Sequence, residues 1–151
     1  MKVDTILVPT DFSADAEKAL STAADLAKTF GGAKIVVLHA YAVDIPMVSP
    51  MAGGYSLPTG FYEDLYAQAS ARMDALVGEL SKSGLDATGM VLQEPAALAV
   101  VDQAEKLSAD LIVMGTRGNT GLKHVVLGSV AERVVRTAPC SVLTVKADAP
   151  D

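Results

Sequence analysis

Three glycines and a serine stand at a spacing that suits phosphate binding. Two residues separate Gly115 from Gly118, and nine more lead to Gly128 and Ser129. An apolar run ends at Gly115, and a segment with helical character begins at Ser129. Loops of this kind expose backbone N–H groups, and a helix N-terminus favours an anion through its dipole. The spacing indicates an anion site, although tight turns and close helix packing would also explain the glycines.

Ser129 admits two roles. The segment from Ser129 to Glu132 matches the Ser-x-x-Glu capping box, which satisfies the first N–H groups of a helix without any ligand. Alternatively, the serine hydroxyl and the N–H groups of Ser129 and Val130 bind a phosphate. Both interpretations stay open on the sequence alone, and a chain could alternate between them.

Charged side chains near these glycines also have two interpretations. Asp11 follows the first apolar run, and as an ordinary loop carboxylate it would only cap or solvate the first helix. At a nucleotide site it would instead accept a hydrogen bond from a ribose hydroxyl or help to hold Mg²⁺ through water. Arg117 and Lys123 lie in the glycine loop. They are either exposed surface charges or groups that offset phosphate charge.

The histidines and the cysteine carry less information. His39 and His124 are far apart in the sequence and Cys140 is the single cysteine, so no zinc-site spacing exists. We expect His39 to be packed and hydrogen-bonded at a strand end. We expect Cys140 to be a buried, unreactive thiol, because no activating partner is adjacent to it.

Several common enzyme signatures are missing. The chain has no Gly-x-x-x-x-Gly-Lys-Ser/Thr, and no Gly-x-Gly-x-x-Gly follows the first strand. This argues against a P-loop NTPase and weakens a dinucleotide site. No Gly-x-Ser-x-Gly occurs, so a serine hydrolase of that type has no support.

The elements that must position these residues alternate between short apolar runs and helical patterns. Ser13 is a predicted N-cap, Gly31-Gly32 a predicted helix end, and Pro95 a predicted first-turn residue. The order βαβαβαβαβ predicts an open parallel sheet with helices on both faces and a ligand beyond the carboxyl ends of the strands. The predicted strands are Thr5 to Val8, Lys34 to Ala40, Ala87 to Leu92, Leu111 to Met114 and Ser141 to Lys146. The first predicted helix runs from the N-cap Ser13 to Gly31-Gly32, and the others are Phe61 to Lys82, Pro95 to about Leu107 and Ser129 to Thr137.

Composition sets the broad class. A chain of 151 residues, half of them hydrophobic, fits one domain with a sizeable core. We assign residues 1–147 to that domain, with an irregular Pro/Gly-rich loop at 43–60, which is either a lid or disordered, and a short tail at 148–151. The net charge of −6 argues against a nucleic-acid partner. The single cysteine and the absence of a signal peptide or an apolar run of about 18 residues predict a cytoplasmic protein without a membrane span.

Four segments together resemble the universal stress protein family over nearly the whole chain. The glycine pattern matches the nucleotide-binding signature of the family, Gly-x2-Gly-x9-Gly-Ser/Thr, and so resembles its ATP-binding branch. The four segments are Ile6-Leu-Val-Pro-Thr-Asp-Phe-Ser13, Asp110-Leu-Ile-Val-Met-Gly-Thr-Arg-Gly118, Leu127-Gly-Ser-Val-Ala-Glu132 and Ala138-Pro-Cys-Ser-Val-Leu143.

The resemblance implies a five-stranded parallel sheet of order 3-2-1-4-5 with the adenine nucleotide alpha hydrolase-like fold. It also implies a homodimer formed through the last strand, Ser141 to Lys146, and ATP as the ligand, with or without Mg²⁺. Carried over by position, Pro9, Thr10 and Asp11 would line the adenosine side, Ala40 would contact the adenine, and Met114 and Gly115 would flank the ribose and phosphates. Gly118, Gly128, Ser129 and Val130 would hold the phosphates, and Arg117 is included in the candidate site.

Three functions follow as hypotheses. The first is a dimeric ATP-binding module of the stress response that signals to an unknown downstream protein. The second is a slow ATPase or a nucleotidyl- or phosphoryl-transferase, for which the sequence offers no convincing general base beside the glycine loop. The third is an adaptor protein in which the glycines serve packing alone.

Overall fold

Strands and helices alternate along the computed structural model, which describes residues 1–43, 57–118 and 127–148. The predicted order is confirmed, and strand ends differ by one residue: β1 includes Pro9, β4 includes Gly115, and β5 ends at Val145. Most of the predicted loop at 43–60, together with Lys123 and His124, lies outside the described residues. The elements are β1 Thr5–Pro9, α1 Ala14–Thr29, β2 Lys34–Ala40, α2 Phe61–Lys82, β3 Ala87–Leu92, α3 Ala96–Lys106, β4 Leu111–Gly115, α4 Ser129–Thr137 and β5 Ser141–Val145.

Helix ends follow the local chemistry at two of the three predicted positions. Ser13 is the N-cap of α1, and its hydroxyl accepts the Ala16 N–H at 3.3 Å. After α1, Gly31 adopts a φ of +83°, a left-handed conformation that glycine takes without strain. Pro95 is the N-cap of α3 rather than its first helical residue, so that helix begins one residue later than the sequence pattern predicts.

All pairings in the sheet are parallel, and the strand order is β3-β2-β1-β4-β5. This is the order that the family resemblance implies. Strand β1 lies between β2 and β4. The chain runs from β1 to β2 on one side, and it returns to the other side of β1 only with β4. The connections from β1 and β4 run to opposite faces of the sheet, which opens a crevice at their carboxyl ends.

The core is two apolar layers, one on each face of the sheet. Ile6 and Val8 pack towards α1 and α2, whereas Leu7 packs towards α3 and α4. The alternation follows from the two-residue period of a strand. All three side chains are fully buried, and each contributes about 1.5–3 kcal/mol through the hydrophobic effect. The two layers hold the strand ends rigidly where the crevice forms.

Candidate functional site

A cavity of about 360 Å³ occupies the crevice beside the carboxyl ends of β1 and β4. Its volume lies in the range of small-molecule sites. Every candidate residue that the structure describes lines it, except Thr10 and Ala40. The described residues of its wall are Pro9, Asp11, Ala16, Ala96, Met114, Gly115, Thr116, Arg117, Gly118, Gly128, Ser129, Val130 and Ala131.

Thr10 has a structural role at the end of β1. Its side chain accepts the Phe12 N–H at 3.0 Å, and its carbonyl oxygen lies 2.8 Å from Nδ1 of His39. A carbonyl can only accept, so the Nδ1 nitrogen carries the proton. The bond from its N–H to Thr10 restrains Phe12 at a φ of +63°, a conformation that is uncommon for a bulky residue. His39 is therefore the packed, hydrogen-bonded residue that the sequence predicts.

Asp11 lies where the chain after β1 comes close to Gly118, a glycine of the phosphate-binding pattern. Its Oδ1 accepts the Ser13 N–H at 3.0 Å, so the carboxylate does help to cap the start of α1. Its Oδ2 faces Gly118 so closely that a Cβ added there would lie 2.5 Å from it. The end of β1 and the glycine loop are thus brought together, as the sequence predicts.

Gly115 is a glycine because α1 approaches β4 closely. An added Cβ would lie 2.8 Å from Cβ of Asp15 and 2.9 Å from its backbone carbonyl carbon. Real Cβ atoms do not come so near to backbone atoms, so the helix would have to shift. Close helix packing, one of the two readings left open by the sequence, is the correct account of this glycine.

Gly128 closes the other end of the glycine loop. Its N–H donates to the carbonyl oxygen of Thr116 at 2.6 Å, and its φ of −68° is open to any residue. An added Cβ would lie 3.4 Å from that oxygen, which is ordinary contact. Gly128 therefore ties the start of α4 to the end of β4 without needing the conformational freedom of glycine.

The capping box, one of the two interpretations of the start of α4, is not formed in the structure. Gly128 occupies the N-cap position and Ser129 is the first helical residue, with no side-chain cap. The carboxylate of Glu132 pairs with Arg136 one turn further on. The first N–H groups of any helix lack intrahelical acceptors, and those of α4 begin at Ser129 on the cavity wall. The serine hydroxyl therefore does not cap α4 in this structure, and its role in anion binding stays a prediction.

Asp15 accepts several hydrogen bonds from residues at the site, and sequence reasoning missed this. It is 5% exposed. Its carboxylate accepts the Thr116 hydroxyl at 3.0 Å, the Arg117 N–H at 3.1 Å and the Ala147 N–H at 3.2 Å. The sequence treats Asp15 only as a first-turn acidic residue, but it shares an i, i+4 stripe with the buried Ala19, Ala23 and Ala27. A carboxylate on that apolar stripe was the available signal.

The pKa of Asp15 reflects two opposed effects. Burial raises the pKa, while hydrogen bonds from Arg117, Thr116 and the Ala147 N–H and the charge of Arg117 lower it, with a net pKa below the usual 3.8. Asp15 is therefore a carboxylate at neutral pH.

Arg117 is held by Asp15. Its Nε lies 3.3 Å from Oδ2 and its Nη2 lies 3.4 Å from Oδ1, and the side chain is 29% exposed. The sequence predicted either an exposed surface charge or a partner for phosphate. The structure gives this arginine a largely buried carboxylate as its partner.

Ala40 and Cys140 lie away from the cavity. Ala40 ends β2, pairs with Leu92 of β3 and is half-buried. Cys140 is half-buried just before β5, and burial together with Asp110 raises the pKa of its thiol. A raised pKa keeps the thiol protonated at neutral pH, in keeping with the predicted low reactivity.

A second, smaller cavity of about 200 Å³ lies on the α1 and α2 side of β1. Thr10, Phe12 and Arg72 contribute to its wall. The guanidinium of Arg72 lies 4.1 Å from the centre of the Phe12 ring, and His39 lies 4.7 Å from the ring on centroid distance. The described residues contain no cluster of three His, Cys, Asp or Glu side chains suited to a metal. None of the described helices is long and apolar enough to cross a membrane.

Sequence comparison identifies related proteins along nearly the full chain. The profile of the Universal stress protein family matches residues 2–146. Universal stress protein MJ0531 of Methanocaldococcus jannaschii is 37% identical over 143 residues, which cover 93% of this chain and 81% of that protein.

Solved structures share the fold. The structure of MJ0577 from the same organism has a TM-score of 0.85 and 29% identity, covering 99% of this chain and 100% of that one. A universal stress protein from Archaeoglobus fulgidus, solved in complex with dAMP, has a TM-score of 0.66 and 26% identity, covering 97% and 100% of the two chains.

Proposed function

The chain belongs to the universal stress protein family, and from that premise we propose that it binds an adenine nucleotide, ATP, in the cavity beside β1 and β4. One observation carries the proposal. The helix N-terminus at Ser129, the glycine loop and Asp11 line a single cavity at the point where strand order reverses. That edge is where open parallel sheets bind ligands.

The phosphates lie against the start of α4 in this proposal. Backbone N–H groups of Ser129 and Val130 donate to phosphate oxygens, the Ser129 hydroxyl adds another donor, and the helix dipole favours the negative charge. Gly118 and Gly128 leave room for phosphate to approach the backbone, because neither carries a side chain.

The nucleoside lies towards β1. Pro9 and Met114 give apolar contact, and Asp11 accepts from a ribose hydroxyl. The A. fulgidus relative in complex with dAMP supports an adenine nucleotide as the ligand class. Thr10 and Ala40 are not among the described residues of the cavity wall, so in this proposal they support the nucleoside site without contacting the ligand.

Mg²⁺ accompanies ATP in the proposal, held through water by Asp11 and by the phosphates. Adding Mg²⁺ should then tighten ATP binding in the wild type and have a smaller effect on Asp11→Asn. Equal effects on both proteins would remove Asp11 from the metal site.

We favour a regulatory module over an enzyme. Asp11 and Arg117 are the charged side chains among the described residues of the wall, and Arg117 is paired with Asp15. An arginine stays protonated and cannot act as a base, and the Asp11 carboxylate already accepts the Ser13 N–H. Recovery of ADP or AMP at more than trace turnover, lost in Asp11→Ala, would support the enzyme instead.

The active form in this proposal is a cytoplasmic homodimer joined through β5. That strand is an edge of the sheet, and Leu143 on it is 38% exposed. An exposed apolar edge strand favours pairing with another chain. Leu143→Lys should lower the mass measured by light scattering from dimer to monomer; a wild-type monomer at all concentrations would refute the interface. Pull-down experiments with the wild-type protein would identify the downstream partner of the dimer.

Isothermal titration of ATP into the purified protein tests the central proposal. Gly118→Ala should weaken ATP binding by roughly tenfold, because the new Cβ displaces the Asp11 carboxylate. Gly78→Ala is the matched control, since a Cβ there meets nothing within 4 Å. If the wild type does not bind ATP at concentrations up to millimolar, the proposal is refuted and the adaptor hypothesis is favoured.

A further inference from the structure

The buried carboxylate of Asp15 accepts hydrogen bonds from several groups beside the glycine loop. The hydroxyl of Thr116, the N–H, Nε and Nη2 of Arg117 and the N–H of Ala147 all lie within 3.4 Å of the Asp15 oxygens. These donors follow β4 and β5, and they are 101 to 132 residues away from Asp15 in the sequence. An aspartate so placed fixes the direction in which Arg117 points.

The pair also changes the charge that a ligand would meet. Arg117 is the cation among the described residues of the cavity wall, and its charge is matched by Asp15. Asp11 adds a negative charge on the same wall. Anion binding there depends on backbone N–H groups, whose dipoles reach a phosphate at the helix end but fall off within a turn.

We infer that Asp15 is a specificity-determining residue that limits the preference of the site for longer phosphate chains by holding Arg117. The inference rests on the proposed nucleotide site. The second and third phosphates of ATP gain less from Arg117 than they would from a guanidinium without a carboxylate partner.

Asp15→Asn isolates this effect. The amide keeps an oxygen acceptor of similar size but loses the negative charge, so Arg117 becomes available to a polyphosphate. Affinities for adenosine, AMP and ATP are measured by titration calorimetry in the wild type and the variant. The ratio of the dissociation constants of AMP and ATP should rise by about tenfold, equivalent to about 1.4 kcal/mol, with adenosine affinity unchanged.

Two further variants separate charge from fold. Asp110→Asn makes the same change of charge at the opposite end of the sheet, where Asp110 accepts the N–H groups of Asp4 and Thr5 at 2.9 Å; its ratio should match the wild type. Asp15→Asn with Arg117→Gln removes both charges and should restore the wild-type ratio. The gain in Asp15→Asn should also fade in high salt.

The outcomes are distinct. An unchanged ratio in Asp15→Asn, or an equal loss of affinity for all three ligands, would overturn the inference and reduce Asp15 to a structural residue while leaving the nucleotide site intact. A rise that persists in the double variant would also overturn it, because Arg117 would not be the cause. A wild type that binds none of the three ligands would overturn both the site and the inference.

Discussion

Replacing Gly115 with alanine tests whether close packing of α1 requires a glycine at the end of β4. The new Cβ would lie 2.8 Å from Cβ of Asp15 and 2.9 Å from its backbone carbonyl carbon. Carbon atoms in contact normally lie about 3.5–4.0 Å apart, so strand and helix must separate by roughly 0.7–1.2 Å. Because one contacted atom is backbone, no side-chain rotation relieves the clash.

Overpacking of this kind costs about 1–3 kcal/mol. In a chain of 151 residues, each kcal/mol lowers the melting temperature by about 2–4 °C. We therefore expect Gly115→Ala to melt roughly 2–12 °C below the wild type. Gly78→Ala makes the same chemical change inside α2, where an added Cβ meets nothing within 4 Å. It should instead stabilise the protein by about 1 kcal/mol, because alanine has the better helix propensity.

Thermal melts followed by circular dichroism, together with urea unfolding, measure both variants. Opposite shifts in melting temperature, with unchanged urea m-values, support the packing argument. If Gly115→Ala melts at or above the wild-type temperature while Gly78→Ala is stabilised, the close approach of α1 to β4 is not tight in solution and the argument fails.

Two further predictions concern polar groups at the helix starts. The folded-state pKa of Asp15 lies below 3.8, so its carboxylate stabilises the fold above about pH 4, and that stability is lost as pH falls through the lowered pKa. The gap in unfolding free energy between the wild type and Asp15→Asn should thus shrink below pH 4 in urea titrations; a gap independent of pH would refute the charge argument. Ser13→Ala should cost about 1 kcal/mol, whereas Ser129→Ala should cost less than about 0.5 kcal/mol, because only Ser13 caps a helix; equal losses in urea unfolding would restore the capping box.

The fold was accessible from the sequence because its signals are local. Continuous apolar runs such as Ile35 to Leu38 indicate strands buried on both faces, and the β1 and β4 ends carry the polar and glycine residues that meet at the cavity. The strand order came from the family resemblance, since periodicity does not determine which strands are neighbours.

The details of the site depend on tertiary geometry. The Ser-x-x-Glu pattern does not show whether the serine or the glycine before it is the N-cap of α4. In the structure the extended backbone of Gly128 makes the glycine the N-cap. The role of Asp15 depends on Arg117 and Ala147, which only the folded sheet brings to it. Thr10 reads as a site residue by position, but its bonds to Phe12 and His39 use its polar atoms inside the turn.

The position of β1 between β2 and β4 has a consequence for protein synthesis. One wall of the cavity comes from residues up to Ala16, and most of the rest of the wall comes from Met114 onwards. A ribosome must translate most of the chain before both walls exist, so β1 waits with one unpaired edge throughout that time. Contacts so distant in sequence slow folding, and a ligand that bridges the two walls would recognise only a chain whose final quarter has been made.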